Sequence, residues 1–249
     1  MKPYFVSKFL CCVAIVSILF VSCKKEAIPA VAVSSEDESS VFVQEDATTT
    51  TVTFRPGLKD GQDTYVSKID NDPNDGNVNL NYKNEILASK FYYYGKLATQ
   101  RGYIKFDSLL SRIPATANII SARLYLYGVA SAPNSFPYGN SYYPGSSNPV
   151  NNSYIQRVVG KNWNESTITW NNKPNTTTID QATLPASTSQ WNYNASTDVT
   201  AIVKTMRSFG KNFGFCMKHV TEEPYRVVIF SSSESTDVTL RPRLVVKYN

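Results

Sequence analysis

Histidine is nearly absent from this 249-residue chain, where His219 stands alone. That scarcity excludes a histidine-built metal site and any Ser/His/Asp or Cys/His system that does not run through this one residue. Cysteine is almost as scarce. Of the four present, Cys11 and Cys12 fall in an N-terminal apolar segment and Cys23 ends it, leaving only Cys216 for the rest of the chain. A disulfide framework is therefore excluded. Cys216 alternates with apolar neighbours between Phe213 and Met217 and reads as a buried free thiol. The chain also lacks a phosphate-cradling glycine loop, a nucleophile-elbow sequence, an internal repeat and a block of like charges. Its one long apolar run, 9–21, is too short to span a bilayer comfortably.

That run has a different meaning. Lys2 and Lys8 precede it, and it stops at Val21-Ser22-Cys23, where a small residue stands before a cysteine. This is the layout of an export signal cleaved in front of a diacylated thiol. Phe20 replaces the commoner leucine, with Leu19 beside it. The expectation is a lipoprotein: signal peptide 1–22, lipidation at Cys23, and a place in the cell envelope at the outer membrane, touching lipid through the anchor only. Residues 23–47 are small, acidic and poor in aromatics, so they read as a flexible tether. Removing Lys2, Lys8, Lys24, Lys25 and the acids Glu26, Glu36, Asp37, Glu38, Glu45 and Asp46 leaves 21 basic and 14 acidic residues, a balance of +7 that favours anionic partners.

The remaining 48–249 is enough for one sizeable core. Short alternating runs separated by turn residues recur at 48–54, 64–69, 103–107, 122–129, 153–158, 167–170, 213–220, 226–231 and 244–248, the pattern of an all-β sandwich. In the run 122–127, a period of two sends Ala122, Leu124 and Leu126 to the core and Arg123, Tyr125 and Tyr127 to the other face. Val199, Ile202, Val203 and Met206 fall instead at helical spacing. Asp198 is placed to cap this segment and Gly210 to end it, so one short helix is expected across an end of the sandwich. The proline- and glycine-rich stretch between Val129 and Ser153 is long for a loop and carries Phe136, Tyr138, Tyr142 and Tyr143.

Few constellations carry chemistry. Asp107, Glu165 and Asp198 could form a carboxylate pair only in that they exist, and nothing in their spacing argues for catalysis. Asp70, Asp72, Asn74 and Asp75 place side-chain oxygens as a structural calcium loop would. However, the glycine falls one place late and Asn81 stands where a bidentate glutamate belongs, so a solvated Asx-rich turn is the better reading. No other cofactor is indicated. Tyrosines with polar edges are platforms for sugar rings. The richest sets are Tyr92, Tyr93 and Tyr94, then Tyr138, Tyr142 and Tyr143. Lys90, Lys96 and Arg101 beside the first set could pair with carboxylate or sulfate groups. Trp163 and Trp170 bracket a short run and read as core. Single-stranded nucleic acid would also stack on tyrosines, but export to the envelope argues against it.

Several phrases, in order, resemble the DNRLRE-type domain of bacterial surface proteins, which overlaps carbohydrate-binding module family 96. They are Asp63-Thr64-Tyr65-Val66, Arg101-Gly102-Tyr103-Ile104-Lys105-Phe106-Asp107 and Ile120-Ser121-Ala122-Arg123-Leu124-Tyr125-Leu126. The phrase from Trp163 to Trp170, Asp198-Val199-Thr200, Asn212-Phe213-Gly214-Phe215 and the closing Arg241-Pro242-Arg243-Leu244-Val245-Val246-Lys247-Tyr248 continue the series. The resemblance implies a non-catalytic jelly-roll sandwich that binds polysaccharide, an acidic one such as alginate, with Asp107 and both tryptophans as framework. The chain departs from the family at Asn81-Tyr82-Lys83 and in the tyrosine-rich loop. The carbohydrate-contacting residues expected are Lys90, Tyr92, Tyr94, Arg101, Tyr138, Tyr142 and Tyr143. The alternative is a surface adhesion or protein-interaction module. Lys24-Lys25-Glu26, next to the anchor, is similar to the charged export tags of Bacteroidetes surface lipoproteins.

Overall fold

The computed structural model describes residues 40–57, 59–131 and 138–249. The signal peptide, Cys23, the tether up to residue 39 and Phe136 lie outside the described residues. Residues 40–45, read from composition as part of a flexible tether, form the strand β1 (Ser40–Glu45). It pairs antiparallel with β2 (Thr50–Arg55), and Asp46 N–H donates to Thr49 O at 2.8 Å in the turn between them. The alternation of Val41 and Val43 with polar or outward residues is weak alone. It becomes a strand because β2 offers an open edge and Val41 packs on the core.

Two antiparallel sheets build the fold. One runs β1, β2, β12 (Arg243–Tyr248), β6 (Ile119–Leu126) and β9 (Ala195–Asp198). The other runs β11 (Arg226–Ser231), β4 (Glu85–Tyr93), β5 (Lys96–Phe106), β10 (Phe215–His219), β7 (Ser153–Val159) and β8 (Asn175–Leu184), with β3 (Gly61–Ile69) also paired to β5. Phe54, Leu124 and Val246 of the first sheet meet Ile86, Phe106, Phe215 and Phe230 of the second in one buried cluster, so the chain is a β-sandwich. On β6 the period of two holds, with Ala122, Leu124 and Leu126 buried and Arg123 exposed.

The predicted helix is α2 (Thr200–Phe209), and it buries Ile202, Val203 and Met206. Gly210 closes it at φ 60°, while Lys211 N–H donates to Met206 O at 3.1 Å. Val199 is the residue whose carbonyl accepts the first helical bond, from Val203, so Asp198 stands one place farther out than expected. A single helical turn, α1 (Leu109–Arg112), is additional to that expectation.

Residues 167–170, expected as a strand, form turns. Asn164 Oδ1 accepts from both Ser166 N–H (2.8 Å) and Ser166 Oγ–H (2.5 Å), and Asn172 Oδ1 takes Thr169 N–H at 2.7 Å. Side chains thus occupy the backbone groups a neighbouring strand would need. Trp163 is core as predicted: it packs edge-on to Tyr103 at 5.6 Å and its Nε1–H donates to Phe213 O at 2.8 Å. Trp170 is only half-buried.

The handover at Gly102 matters most for the site. β5 pairs with β4 over residues 96–100 and with β10 over 102–104. A Cβ at Gly102 would lie 2.7 Å from Ile86 Cγ2 and 3.2 Å from Leu87 O, so only glycine lets β4 part from β5 while staying this close. Ile104 and Phe106 go into the main core. Gln100 and Ala98, two and four residues before Gly102 on the same side, line a cleft instead.

Candidate functional site

The cleft holds about 240 Å³. Strands β3, β4 and β5 supply Ser67, Ser89, Phe91 and Gln100, and the segment 75–83 supplies Tyr82 and Lys83, the latter 4.7 Å above the Tyr82 ring. Ser89 is 1% exposed, and its Oγ, like Gln100 Oε1, has no hydrogen-bond partner among the described residues. Buried polar atoms are satisfied as a rule, so two orphans lining one cleft mark a place suited to an incoming polar group.

The aromatic rim comes from the β4–β5 hairpin. Tyr94 and Gly95 both have positive φ, 47° and 77°, as a two-residue type I′ turn requires. The turn pushes the tyrosines outward: Tyr92, Tyr93 and Tyr94 are 47%, 55% and 91% exposed. Tyr92 and Tyr93 line the cleft, while Tyr94 stacks edge-on against Tyr93 at 4.6 Å. Sequence reasoning missed Tyr225, whose ring lies 5.8 Å from Phe91 and 5.7 Å from Tyr92. Only the phrase Glu-Glu-Pro-Tyr at 222–225 hinted at a turn there.

A second, wider cleft of about 450 Å³ adjoins at Phe91, which lines both. It is bounded by Tyr138, Tyr143, Asn148 and Gln190. The tyrosine-rich segment is fixed there by buried amides: Asn140 Oδ1 accepts from Ile229 N–H at 2.9 Å and Ser141 Oγ from Val227 N–H at 2.8 Å, closing the edge of β11. Tyr142 is half-buried, with its carbonyl taken by Ser187 Oγ–H at 2.5 Å. Asn151, in a sequon-like triplet, is fully buried and bonded to Ser187 and Val227.

The structure therefore unites Tyr92, Tyr138 and Tyr143 around Phe91, while Lys90 and Arg101 line neither cleft. Lys90 is the register partner of Thr99, donates to its Oγ1 at 2.6 Å and pairs with Asp70 at 3.2 Å. Arg101 follows Gln100 and so points away from the cleft, where Glu222 takes it through both carboxylate oxygens at 2.7 Å. Gln100 and Arg101, neighbours on β5, face opposite ways, whereas Lys90 is held by Asp70 and Thr99.

The oxygens of the calcium alternative have partners of their own. Asp75 Oδ2 accepts from Ile69 N–H at 2.6 Å, Asp72 Oδ1 from Asn74 N–H at 3.1 Å, and Asp70 holds Lys90. Among the described residues no group of three or more His, Cys, Asp or Glu is placed to hold a metal. Asp107 pairs with Lys105 at 3.1 Å and accepts from Gln62 Nε2–H at 2.8 Å. Burial lifts Glu165 to about 7, with the charges of Glu234 and Asp107 adding to it, while one oxygen accepts from Asp63 N–H at 2.9 Å. His219 is buried against Ser153 Oγ at 3.0 Å and pushed down to about 4 by that burial.

A family model described as carbohydrate-binding module family 96 matches residues 50–248. No curated protein matches the chain.

Proposed function

The chain belongs to carbohydrate-binding module family 96, and from that membership we propose a protein that binds a polysaccharide, without cleaving it, in the two clefts that meet at Phe91. The carrying observation is the pair of orphaned polar atoms, Ser89 Oγ and Gln100 Oε1, in a cleft edged by tyrosine rings. A sugar supplies what both need: hydroxyls for the orphans and an apolar ring face for Tyr92 and Tyr93.

The polymer we propose is anionic, of the alginate kind, in keeping with the +7 balance of residues 48–249. The anchor is the diacylated thiol of Cys23, which would hold the binder at the outer membrane and concentrate the polymer at the cell surface.

Affinity gel electrophoresis against alginate, pectin and neutral glucans tests the reading. Retardation by at least one polymer is expected, and Gln100→Ala should weaken it about tenfold, the scale of one lost hydrogen bond in a desolvated site. If no polysaccharide retards the protein at low salt, the proposal is wrong. If Gln100→Ala is retarded like the parent, the cleft is not the site.

A further inference from the structure

The end of the sandwich farthest from the tyrosine rim has a chemistry of its own. β5 is eleven residues long, roughly 35 Å of extended chain, with the turn at Tyr94 and Gly95 before its first residue and α1 after its last. At that far end Asn212 Nδ2–H donates to Phe106 O at 2.7 Å and Arg207 Nη1–H to Leu110 O at 3.1 Å. The Arg157 guanidinium lies 5.6 Å from the centre of the Phe209 ring. These contacts gather α1, the last turn of α2 and the end of β7 into one patch.

The patch carries charge of one sign. Residues 108–112, 157–161 and 200–211 hold Arg112, Arg157, Lys161, Lys204, Arg207 and Lys211, and not one Asp or Glu. None of the six cations has a carboxylate within 4.0 Å among the described residues. The Nε–H groups of Arg157 and Arg207 also lack an acceptor there. Asp180, which does touch α2, is taken by Thr205 Oγ1–H at 2.6 Å. The helix buries Ile202, Val203 and Met206 in the core, yet its last residue, Phe209, is 63% exposed. A large ring left in water among uncompensated cations suits a membrane interface, where the ring reaches the acyl boundary and the cations meet headgroup phosphates.

We propose that this end of the sandwich, the six cations around Phe209, docks on the surface of a lipid bilayer with anionic headgroups. A soluble polyanion would meet the charges but offer no hydrocarbon to the ring. The path of the chain favours the same partner. The segment that carries Cys23 joins the fold at Ser40, the register partner of Arg55. Two residues after Arg55, Gly57 O accepts from Gly61 N–H at 3.1 Å, and Gly61 pairs with Phe106. The N-terminal segment thus enters at the end of β5 where the patch lies. Docking there turns the hairpin and its clefts away from the membrane. The proposal takes only this direction of entry from the reading of Cys23 as the anchor, and nothing from the sugar clefts.

The test is flotation of the full chain with vesicles of phosphatidylcholine, alone or mixed with phosphatidylglycerol. Neutral vesicles report the N-terminal segment, and the excess bound to charged vesicles reports the patch. That excess should vanish at high salt. Lys204→Ala and Lys211→Ala should each reduce it about fivefold, the scale of one cation near a charged bilayer. Both lysines are exposed, so neither variant disturbs the core. In Phe209→Trp, brominated acyl chains should quench the emission more than in the parent, on charged vesicles only. If the excess is missing, if both lysine variants keep it whole, or if Phe209→Trp is quenched no more than the parent, the docking is overturned. A shift of the Phe209→Trp emission by dextran sulfate, with no vesicle excess, would reassign the patch to a soluble polyanion and overturn it as well. If neutral vesicles fail to float the chain while the excess persists, the anchor reading fails and the docking stands.

Discussion

Gly102 shows how far one missing side chain can reach. A methyl there meets Ile86 Cγ2 at 2.7 Å and Leu87 O at 3.2 Å. The side chain could turn, but the carbonyl is held in its strand. Gly102→Ala should therefore destabilise the domain by about 1–3 kcal/mol, the usual cost of overpacking, with the loss read from the midpoint of urea denaturation. Cys216 is the opposite case, a residue whose behaviour was readable in advance. It is fully buried, its thiol is pushed up to about 11 by that burial, and it packs with Tyr103 and Trp163. Its apolar alternation made this legible, whereas the crowding at Gly102 depends on β4 and β10 meeting the same strand, which no local pattern records.

Among the elements, those with a clear period were legible and those at edges were not. The 226–231 and 153–158 runs became β11 and β7 with nearly the same bounds, because their buried residues alternate cleanly or run together. β8, with the sequence NTTTIDQATL, escaped notice. Only its last residue is buried, and Asp180 breaks its course at φ 65°. β4 was masked by its run of tyrosines, although Tyr92 and Tyr93 stay in the sheet as partners of Leu97 and Lys96. Of the candidate site, the aromatic sets were legible as runs, but the carboxylates that hold Lys90 and Arg101, Asp70 and Glu222, lie far off in sequence and no local pattern records them. At α2, the Asp198 carboxylate accepts from Thr200 N–H at 2.9 Å, and this bond together with the Thr200 hydroxyl holds its pKa low. Asp198→Ala should cost about 1 kcal/mol, as lost helix-start partners do, again measurable by denaturant titration.

At the scale of the molecule, a buried histidine and a half-buried glutamate pull stability in opposite directions with pH. His219 titrates at about 4 when folded against an ordinary 6.5, so the unfolded chain binds the extra proton between those values. Stability is lost there as pH falls. Glu165 titrates at about 7 against an ordinary 4.5, chiefly through burial, so the folded chain keeps the extra proton. Its contribution is full below 4.5 and is lost as pH rises through 7. Asp63, buried beside it and raised for the same first reason, acts in the same sense. Melting temperatures across this range should fall on the alkaline side, and Glu165→Gln should flatten that fall. An unchanged alkaline slope in the variant would show that Glu165 is not its source.

The handover on β5 has a consequence for how a ligand is met. Gln100 lies on the same continuous strand as Ile104 and Phe106, which are 1% exposed in the main core, and Ser89 on the same strand as Ile86 and Ala88. The two unpartnered polar groups of the cleft are thus extensions of the most tightly packed part of the protein, not tips of a loop. A polymer settling on them encounters partners already immobile, so the entropy that a pliable surface would lose on contact is largely absent from the association.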